Sequence, residues 1–173
     1  MPKPPKKPII YSPTFAIRAF AVMLQHCEHT ELLTDFSKMG EAIIKHHDSY
    51  IWVTVEQELV GFFFIFSFKC FFQPEQEITS EQEYYLSDEL LKRARSLFPN
   101  KFRSCETTPG ATPYSLKVNL LTPPTPKELD ALKALFDDLA AKYSMHYIGN
   151  YDKKVKADQA AREEQKQKEK MSN

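Results

Sequence analysis

The stretch "GFFFIFSFKCFF", residues 61–72, is the most apolar run of the chain and holds seven of its 13 phenylalanines. It is too short, and interrupted by a lysine, to cross a bilayer as a helix, which takes roughly 20 apolar residues. Its aromatic residues favour an extended conformation. The run therefore predicts a core strand that is buried on both faces, one of them under helices.

The composition predicts a single globular domain built around this strand. The chain has 173 residues, of which 42% are hydrophobic, and a formal net charge of zero. This length supports one sizeable core, and a neutral balance gives no general attraction to nucleic acid or to anionic membranes. The three cysteines form no CxxC pair, and residues 1–10 lack the apolar segment of a secretory signal. We expect a reduced, cytoplasmic protein without a membrane-spanning segment.

The two ends differ from the middle of the chain. Residues 1–11 begin with MPKPPKKP, which predicts an extended, basic, proline-rich arm. Residues 152–173 contain no glycine, no proline and almost no large apolar side chain, so they predict an exposed, charged helix or tail. The α+β domain itself is expected over residues 12–151.

Three amphipathic helices are predicted from apolar residues at spacings of three and four. The first spans about 30–47. The second spans 80–98, where Ser80 and Glu83 have the spacing of a capping box. The third, over 126–143, follows Thr125 as N-cap and begins with a proline.

Six segments rich in β-branched or aromatic residues predict strands. They cover residues 15–24, 50–56, 61–72, 102–107, 114–121 and 145–151. The resulting order is β-α-β three times over, and two consecutive units of this kind form a ferredoxin-like sandwich. The predicted fold is therefore α+β: a ferredoxin-like sandwich extended by an extra βαβ unit, with a mainly antiparallel sheet and three helices on one face.

Two pairs of consecutive βαβ units could form the sandwich. If it spans residues 15–107, the phenylalanine run is the third strand of an arrangement typical of RNA-recognition motifs. Within the usual pattern of that strand, Gly61, Phe62, Phe64 and Ile65 match, whereas the basic, small and last aromatic positions do not. In such modules two or three aromatic rings stack on bases. An RNA-binding module that uses Phe62 and Phe64 is the alternative function.

If the sandwich instead spans residues 61–151, its last helix and strand lie within "TPKELDALKALFDDLAAKYSMHYIGNYDKKV", residues 125–155. This stretch resembles the closing helix and strand of the ribonuclease E inhibitor family, small cytoplasmic bacterial regulators. Comparable positions are held by Leu139, Ala140, Tyr143, Tyr147 and Gly149. The resemblance implies a ferredoxin-like, non-enzymatic protein that binds and restrains another macromolecule, such as a nuclease or another nucleic-acid-processing enzyme.

Four of the five histidines lie in two clusters, HCEH at residues 26–29 and KHHD at residues 45–48. A helix over 30–47 would place these clusters about 25 Å apart at its two ends, too far to share one ion. His26, Cys27 and His29 by themselves offer three donors, fewer than the four of a structural zinc site. We therefore expect no metal or other cofactor, and a zinc-binding protein at the HCEH loop is the second alternative.

No enzyme motif is found in the sequence. The four glycines stand singly, so there is neither a phosphate-binding loop nor a dinucleotide fingerprint, and no GxSxG elbow is present. The leading hypothesis is a small, non-enzymatic, intracellular regulator or inhibitor that binds another protein. The expected binding residues are Lys92, Arg93 and Arg95 on the second helix, with Phe62 and Phe64 on the phenylalanine strand.

Overall fold

In the computed structural model, the residues described are 13–33, 40–58, 63–148 and 150–171. They form, in chain order, α1 (Pro13–Gln25), β1 (Thr30–Leu32), β2 (Glu41–His46), β3 (Ser49–Glu58), β4 (Phe63–Pro74), α2 (Ser80–Leu97), β5 (Phe102–Thr107), β6 (Tyr114–Leu120), α3 (Pro126–Lys142), β7 (Met145–Tyr147) and α4 (Asn150–Met171). The predicted basic arm, residues 1–11, lies outside the described residues.

The strands form one sheet in the order β1-β2-β3-β4-β6-β5, and β7 pairs with β4. All six strand pairings recorded for the described residues are antiparallel. The predicted α+β class with a mainly antiparallel sheet is therefore confirmed. The phenylalanine run supplies β4, which pairs with β3, β6 and β7 and is the centre of the sheet.

Alternate residues of β4 face the main core. Phe66, Phe68, Cys70 and Phe72 are buried there, together with leucines and phenylalanines from α1, α2 and α3. Because these helices share one core with one face of β4, all three lie on the same side of the sheet. On the other face of β4, Ser67 is buried and Gln73 is exposed, and the remaining residues are half-buried.

Both later helices begin where the capping signals predict. Thr125 caps α3, Pro126 follows at the first helical position, and Glu128 completes a capping box. For α2 the box is shifted by one residue from the predicted pair, because Thr79 is the N-cap and the side chain of Gln82 bonds back to it. The predicted strands at 50–56, 102–107 and 114–121 are also confirmed.

The predicted strand over residues 15–24 is wrong, because this segment forms α1. Phe20 and Leu24, four residues apart, are fully buried against the sheet, as one face of a helix requires. A short apolar run does not by itself distinguish a buried helix from a strand. The predicted RNA-recognition arrangement over residues 15–107 therefore lacks its first strand.

The predicted helix over residues 30–47 is also wrong, since β1 and β2 occupy its two ends. Gly40 has a φ of 75°, a left-handed conformation that ends a helix. In β2 three consecutive residues, Ala42, Ile43 and Ile44, are buried, because both faces of this strand are covered. The spacing of three and four between apolar residues in 30–47 therefore does not reflect a helix.

The first predicted βαβ unit is therefore replaced by a helix and a three-stranded meander. The remaining order, β4-α2-β5-β6-α3-β7, keeps the predicted alternation of strands and helices. The last strand ends at Tyr147, before the predicted residue 151, and Asn150 begins α4. The expected C-terminal helix is present, and nearly all its side chains from Ala160 to Met171 are exposed. Within the described part of the chain, no helix combines the length and the apolar character needed to cross a membrane.

Candidate functional sites

A shallow groove of about 640 Å³ lies along α2, beside the C-terminal end of α3. We call it the α2–α3 groove. It is lined by Glu81, Gln82, Tyr85, Asp88, Glu89, Lys92, Arg93, Lys142 and Tyr143. The apolar face of α2 turns into the core, which leaves its polar residues to line the groove together with the end of α3.

Two ion pairs cross between the helices at this groove. Arg93 Nη2 lies 2.7 Å from Asp138 Oδ2, and Lys142 Nζ lies 2.8 Å from Glu89 Oε2. The hydrogen bond to Glu89 raises the pKa of Lys142, which keeps this amine charged. Surface ion pairs of this kind add little to stability. Their effect is to orient two cationic side chains at the edges of the groove.

Two adjacent tyrosines stand out on α2. The side chains of Tyr84 and Tyr85 are 69% and 56% exposed, and their ring centroids are 5.4 Å apart. Tyr85 lines the α2–α3 groove, whereas Tyr84 does not. Large exposed aromatic side chains beside an arginine are typical of protein-binding surfaces.

The predicted binding residues fall into separate places. Lys92 and Arg93 line the α2–α3 groove, and Lys92 also pairs with Asp88 one turn earlier at 2.8 Å. Arg95 lies outside the groove, with its guanidinium 5.8 Å from the ring centroid of Phe102. Phe64 is half-buried against the main core. Phe62 lies outside the described residues.

The sheet face opposite the helices carries aromatic residues that the sequence interpretation did not single out. Tyr50, Trp52 and Phe71 pack together beside buried Ile43. Lys69 Nζ lies 4.9 Å from the centroid of Phe71. The signal was present as alternation, because every second residue of β3 from Tyr50 faces this side while Ile51, Val53 and Val55 enter the main core.

A group of possible metal ligands gathers where the β2–β3 turn meets α3. His46 Nε2 lies 2.7 Å from Asp130 Oδ1, and His47 Nε2 lies 3.2 Å from the same oxygen. The three ligand atoms all lie within 4.8 Å of one another. We call these three residues the histidine cluster. His46 is 1% exposed, whereas His47 and Asp130 reach the surface.

The HCEH and KHHD segments are neighbours in the structure, so the argument that separated them by a helix fails. The rings of His29 and His47 stack with centroids 4.8 Å apart. The backbone N–H of His47 donates to the His29 carbonyl oxygen at 2.8 Å. Pairing of β1 with β2 produces this contact, since it sets Thr30 opposite His46.

Burial and charge act on the histidine cluster in opposite directions. Burial is the largest influence on His46 and lowers its pKa, although the hydrogen bond to Asp130 opposes this. Burial alone would raise the pKa of Asp130, but the hydrogen bonds from His47 and His46 outweigh it and hold that pKa below its usual range. Asp130 is therefore an ionised carboxylate at neutral pH.

The HCEH loop does not form a ligand group of its own. The Cys27 thiol faces Met23, with Sγ 3.5 Å from the Met23 carbonyl oxygen and 3.3 Å from its sulfur. Burial, with a smaller effect from the charge of Asp130, raises the pKa of Cys27 and favours the neutral thiol. Among the residues the structure describes, the histidine cluster is the group whose donors converge on one point.

Comparisons with protein-family models, with curated proteins and with solved structures give no match to this chain.

Proposed function

We propose that the protein is a small, non-enzymatic regulator or inhibitor that acts by binding another protein through the α2–α3 groove. The observation that carries this proposal is the exposed Tyr85 ring in the same groove as Arg93, whose guanidinium is held by Asp138. Tyrosine and arginine are enriched among the residues that dominate binding energy at interfaces. An arginine that is already oriented loses less side-chain entropy when a partner binds.

The charges of the groove favour a protein over a nucleic acid. Its carboxylates, Glu81, Asp88 and Glu89, are matched by its cations, Lys92, Arg93 and Lys142. Binding to a phosphate backbone draws its affinity from several uncompensated cations. A balanced groove instead complements a protein surface that carries both signs of charge.

We also propose that β4-α2-β5-β6-α3-β7 forms a ferredoxin-like sandwich, extended at one edge by α1 and the β1–β3 meander. The βαββαβ order and the antiparallel strand order β7-β4-β6-β5 support this assignment. The stretch that resembles the ribonuclease E inhibitor family, residues 125–155, supplies Lys142 and Tyr143 to the groove. On that resemblance we propose a nuclease or another nucleic-acid-processing enzyme as the partner.

We place this activity in the cytoplasm. All three cysteines are free thiols, and two of them are buried in the structure. Disulfides are common in secreted domains and rare in the reducing cytosol. Free thiols in a chain of this size support the cytoplasmic assignment.

The test is affinity purification with the full chain, followed by affinity measurements on the protein that is recovered. Tyr85→Ala and Arg93→Ala should each weaken binding by about 30-fold, which corresponds to a hot-spot contribution of roughly 2 kcal/mol. Tyr84→Ala and Arg95→Ala are matched controls, because these residues share the helix but lie outside the groove. The proposal fails if the two pairs of variants behave alike.

A second candidate function, RNA binding, is supported by the sheet face opposite the helices. The rings of Tyr50, Trp52 and Phe71 lie there with Lys69, and Lys45 Nζ is 5.9 Å from the Tyr50 centroid. Aromatic rings with neighbouring cations are typical of single-strand binding surfaces. This candidate no longer depends on Phe64, which packs against the core on the other side of β4.

For this candidate, a short single-stranded RNA is titrated into the full chain at several salt concentrations. RNA binding at this face predicts that log affinity falls with log salt by about 0.7 for each phosphate neutralised. Changing both Lys45 and Lys69 to alanine should reduce that slope, whereas Lys92→Ala on α2 should not. Equal slopes in all three proteins would assign any binding to other lysines of the chain.

A further inference from the structure

We propose that His46, His47 and Asp130 bind one divalent transition-metal ion of the zinc class, which ties the β2–β3 turn to α3. This site differs from the HCEH loop in all its residues. It also does not depend on the α2–α3 groove, since none of its residues lines that groove.

The spacing of the donor atoms suits such an ion. Zinc bonds to imidazole nitrogen and carboxylate oxygen at about 2.0–2.2 Å, so ligands in tetrahedral geometry stand about 3.3 Å apart. Asp130 Oδ1 lies 2.7 Å from His46 Nε2 and 3.2 Å from His47 Nε2. All three donor atoms lie within 4.8 Å of one another, so the side chains need to rotate only slightly to bond one ion.

The hydrogen bonds of Thr30 set His46 up as a ligand. The Thr30 hydroxyl donates its single hydrogen to the Glu28 carbonyl oxygen at 3.1 Å. The same hydroxyl lies 2.5 Å from His46 Nδ1, and the buried Nε2 on the other side of the ring lies 2.7 Å from Asp130 Oδ1. In the tautomer with its proton on Nδ1, the Thr30 hydroxyl accepts that hydrogen and Nε2 is available to bond a metal ion.

A second observation comes from the backbone of the turn. His46 pairs with Ser49, so His47 and Asp48 form a two-residue turn, and His47 has a φ of 57°. The first position of such a turn, when its φ is positive, is usually glycine. A strained backbone conformation at a turn is often kept for function. Here the strained conformation places His47 Nε2 next to Asp130.

The donor set indicates the class of ion. Two imidazole nitrogens and one carboxylate oxygen suit zinc, cobalt, nickel or iron in the divalent state, whereas magnesium and calcium prefer oxygen donors throughout. Three protein ligands leave at least one position for water. Lys133, whose charge acts on His46, is paired with Asp48 at 3.0 Å and Asp137 at 2.5 Å, so its charge is compensated beside the site.

The experiment is zinc titration of the full chain, produced without a histidine tag and first treated with a chelator. We expect about one equivalent of zinc by calorimetry and by elemental analysis, and a cobalt complex whose visible absorption reports a site of low coordination number. The thermal midpoint should rise with zinc but not with magnesium, because an ion that binds only the folded chain stabilises it.

Variants then assign the site. His47→Gly removes a ligand in a residue that accepts a positive φ, so folding is preserved, and Asp130→Asn removes the carboxylate. Both should abolish the saturable binding, and Thr30→Val should weaken it by roughly 10–100-fold, as expected when the partner of a metal-bound histidine is lost. His146→Ala is the matched control, because His146 also contacts a carboxylate, Glu75, at 2.6 Å but lies away from the cluster.

Two results would overturn the proposal. Absence of saturable zinc and cobalt binding in the wild-type chain would show that His46, His47 and Asp130 form only a hydrogen-bonded group. Binding that survives both His47→Gly and Asp130→Asn, with each variant folded by circular dichroism, would assign the metal to other side chains.

Discussion

The packing of α1 on the sheet makes the most demanding prediction for stability. Phe20 is completely buried, and its ring centroid lies 5.7 Å from that of Phe66 and 5.8 Å from that of Phe68. Phe68 is also completely buried, at the centre of β4. If α1 is a structural part of the domain, truncating Phe20 must open a cavity that the surrounding core cannot refill.

The expected cost follows from this burial. Replacing a buried phenylalanine by alanine typically costs about 3–5 kcal/mol of unfolding free energy. Against a total of about 5–15 kcal/mol for a domain, Phe20→Ala and Phe68→Ala each remove a large share. The two cavities adjoin, so the double variant should lose less than the sum of the single losses, by roughly 0.5–3 kcal/mol.

Urea unfolding measures these losses. Trp52 is the single tryptophan and lies in β3, so its fluorescence reports on the sheet without disturbing the site of substitution. Phe20→Leu provides a milder change if the alanine variant does not fold. Tyr84→Ala is the control for an exposed aromatic residue and should shift stability by no more than about 0.5 kcal/mol.

The reasoning is refuted if Phe20→Ala costs no more than Tyr84→Ala. That outcome would mean that α1 is docked too weakly to contribute to the core. A purely additive double variant would be a narrower failure, because it would leave both residues buried but deny the contact between their rings.

Two further predictions concern acid stability and thiol reactivity. Burial alone would raise the pKa of Glu128, but the hydrogen bond from Lys101 Nζ at 2.6 Å and one from the backbone hold that pKa below its usual range. A carboxyl group whose pKa is lower in the folded state stabilises the fold above its unfolded-state pKa, about 4.3 for glutamate, and this stabilisation is lost as the pH falls below that value. Below about pH 4.3, the unfolding free energy of Glu128→Gln should therefore fall less steeply with pH than that of the wild type. Half-buried Cys105 should react first with an aromatic disulfide reagent, whereas Cys70, fully buried and with its thiol pKa raised by burial, should react only on unfolding. Cys105→Ser should remove the fast phase, and a fast phase that persists would contradict this order.

Local signals in the sequence determined the second half of the fold. The N-caps and first turns of α2 and α3 are specified by residues within four positions of each other. These capping interactions therefore do not depend on contacts with distant parts of the chain. The apolar run of β4 is equally explicit, because so many aromatic side chains need burial on a sheet. These elements were predicted from the sequence with small errors in their ends.

Tertiary packing decided the first half. The apolar residues of 15–24 and 30–47 are compatible with the spacing of a helix and with that of a strand. Packing in the sheet decides which of the two forms. α1 is a helix because Phe20 and Leu24 meet β4 and its neighbours on one side, and β2 is a strand because β3 pairs with it while both its faces are covered. Gly40 lies inside the range of the predicted helix, and its left-handed conformation marks the break before β2.

The candidate sites show the same division. The histidines and the cationic side chains of α2 were identified from the sequence. The HCEH and KHHD segments were predicted to lie far apart, because a helix that does not form was expected between them. Asp130, 84 residues after His46, enters the cluster only through the packing of α3 against the β2–β3 turn. Tyr85 and Arg93 similarly share a groove with Lys142 only because α2 and α3 lie side by side. Contacts between residues distant in sequence depend on how whole elements dock, and no local pattern of residues encodes that arrangement.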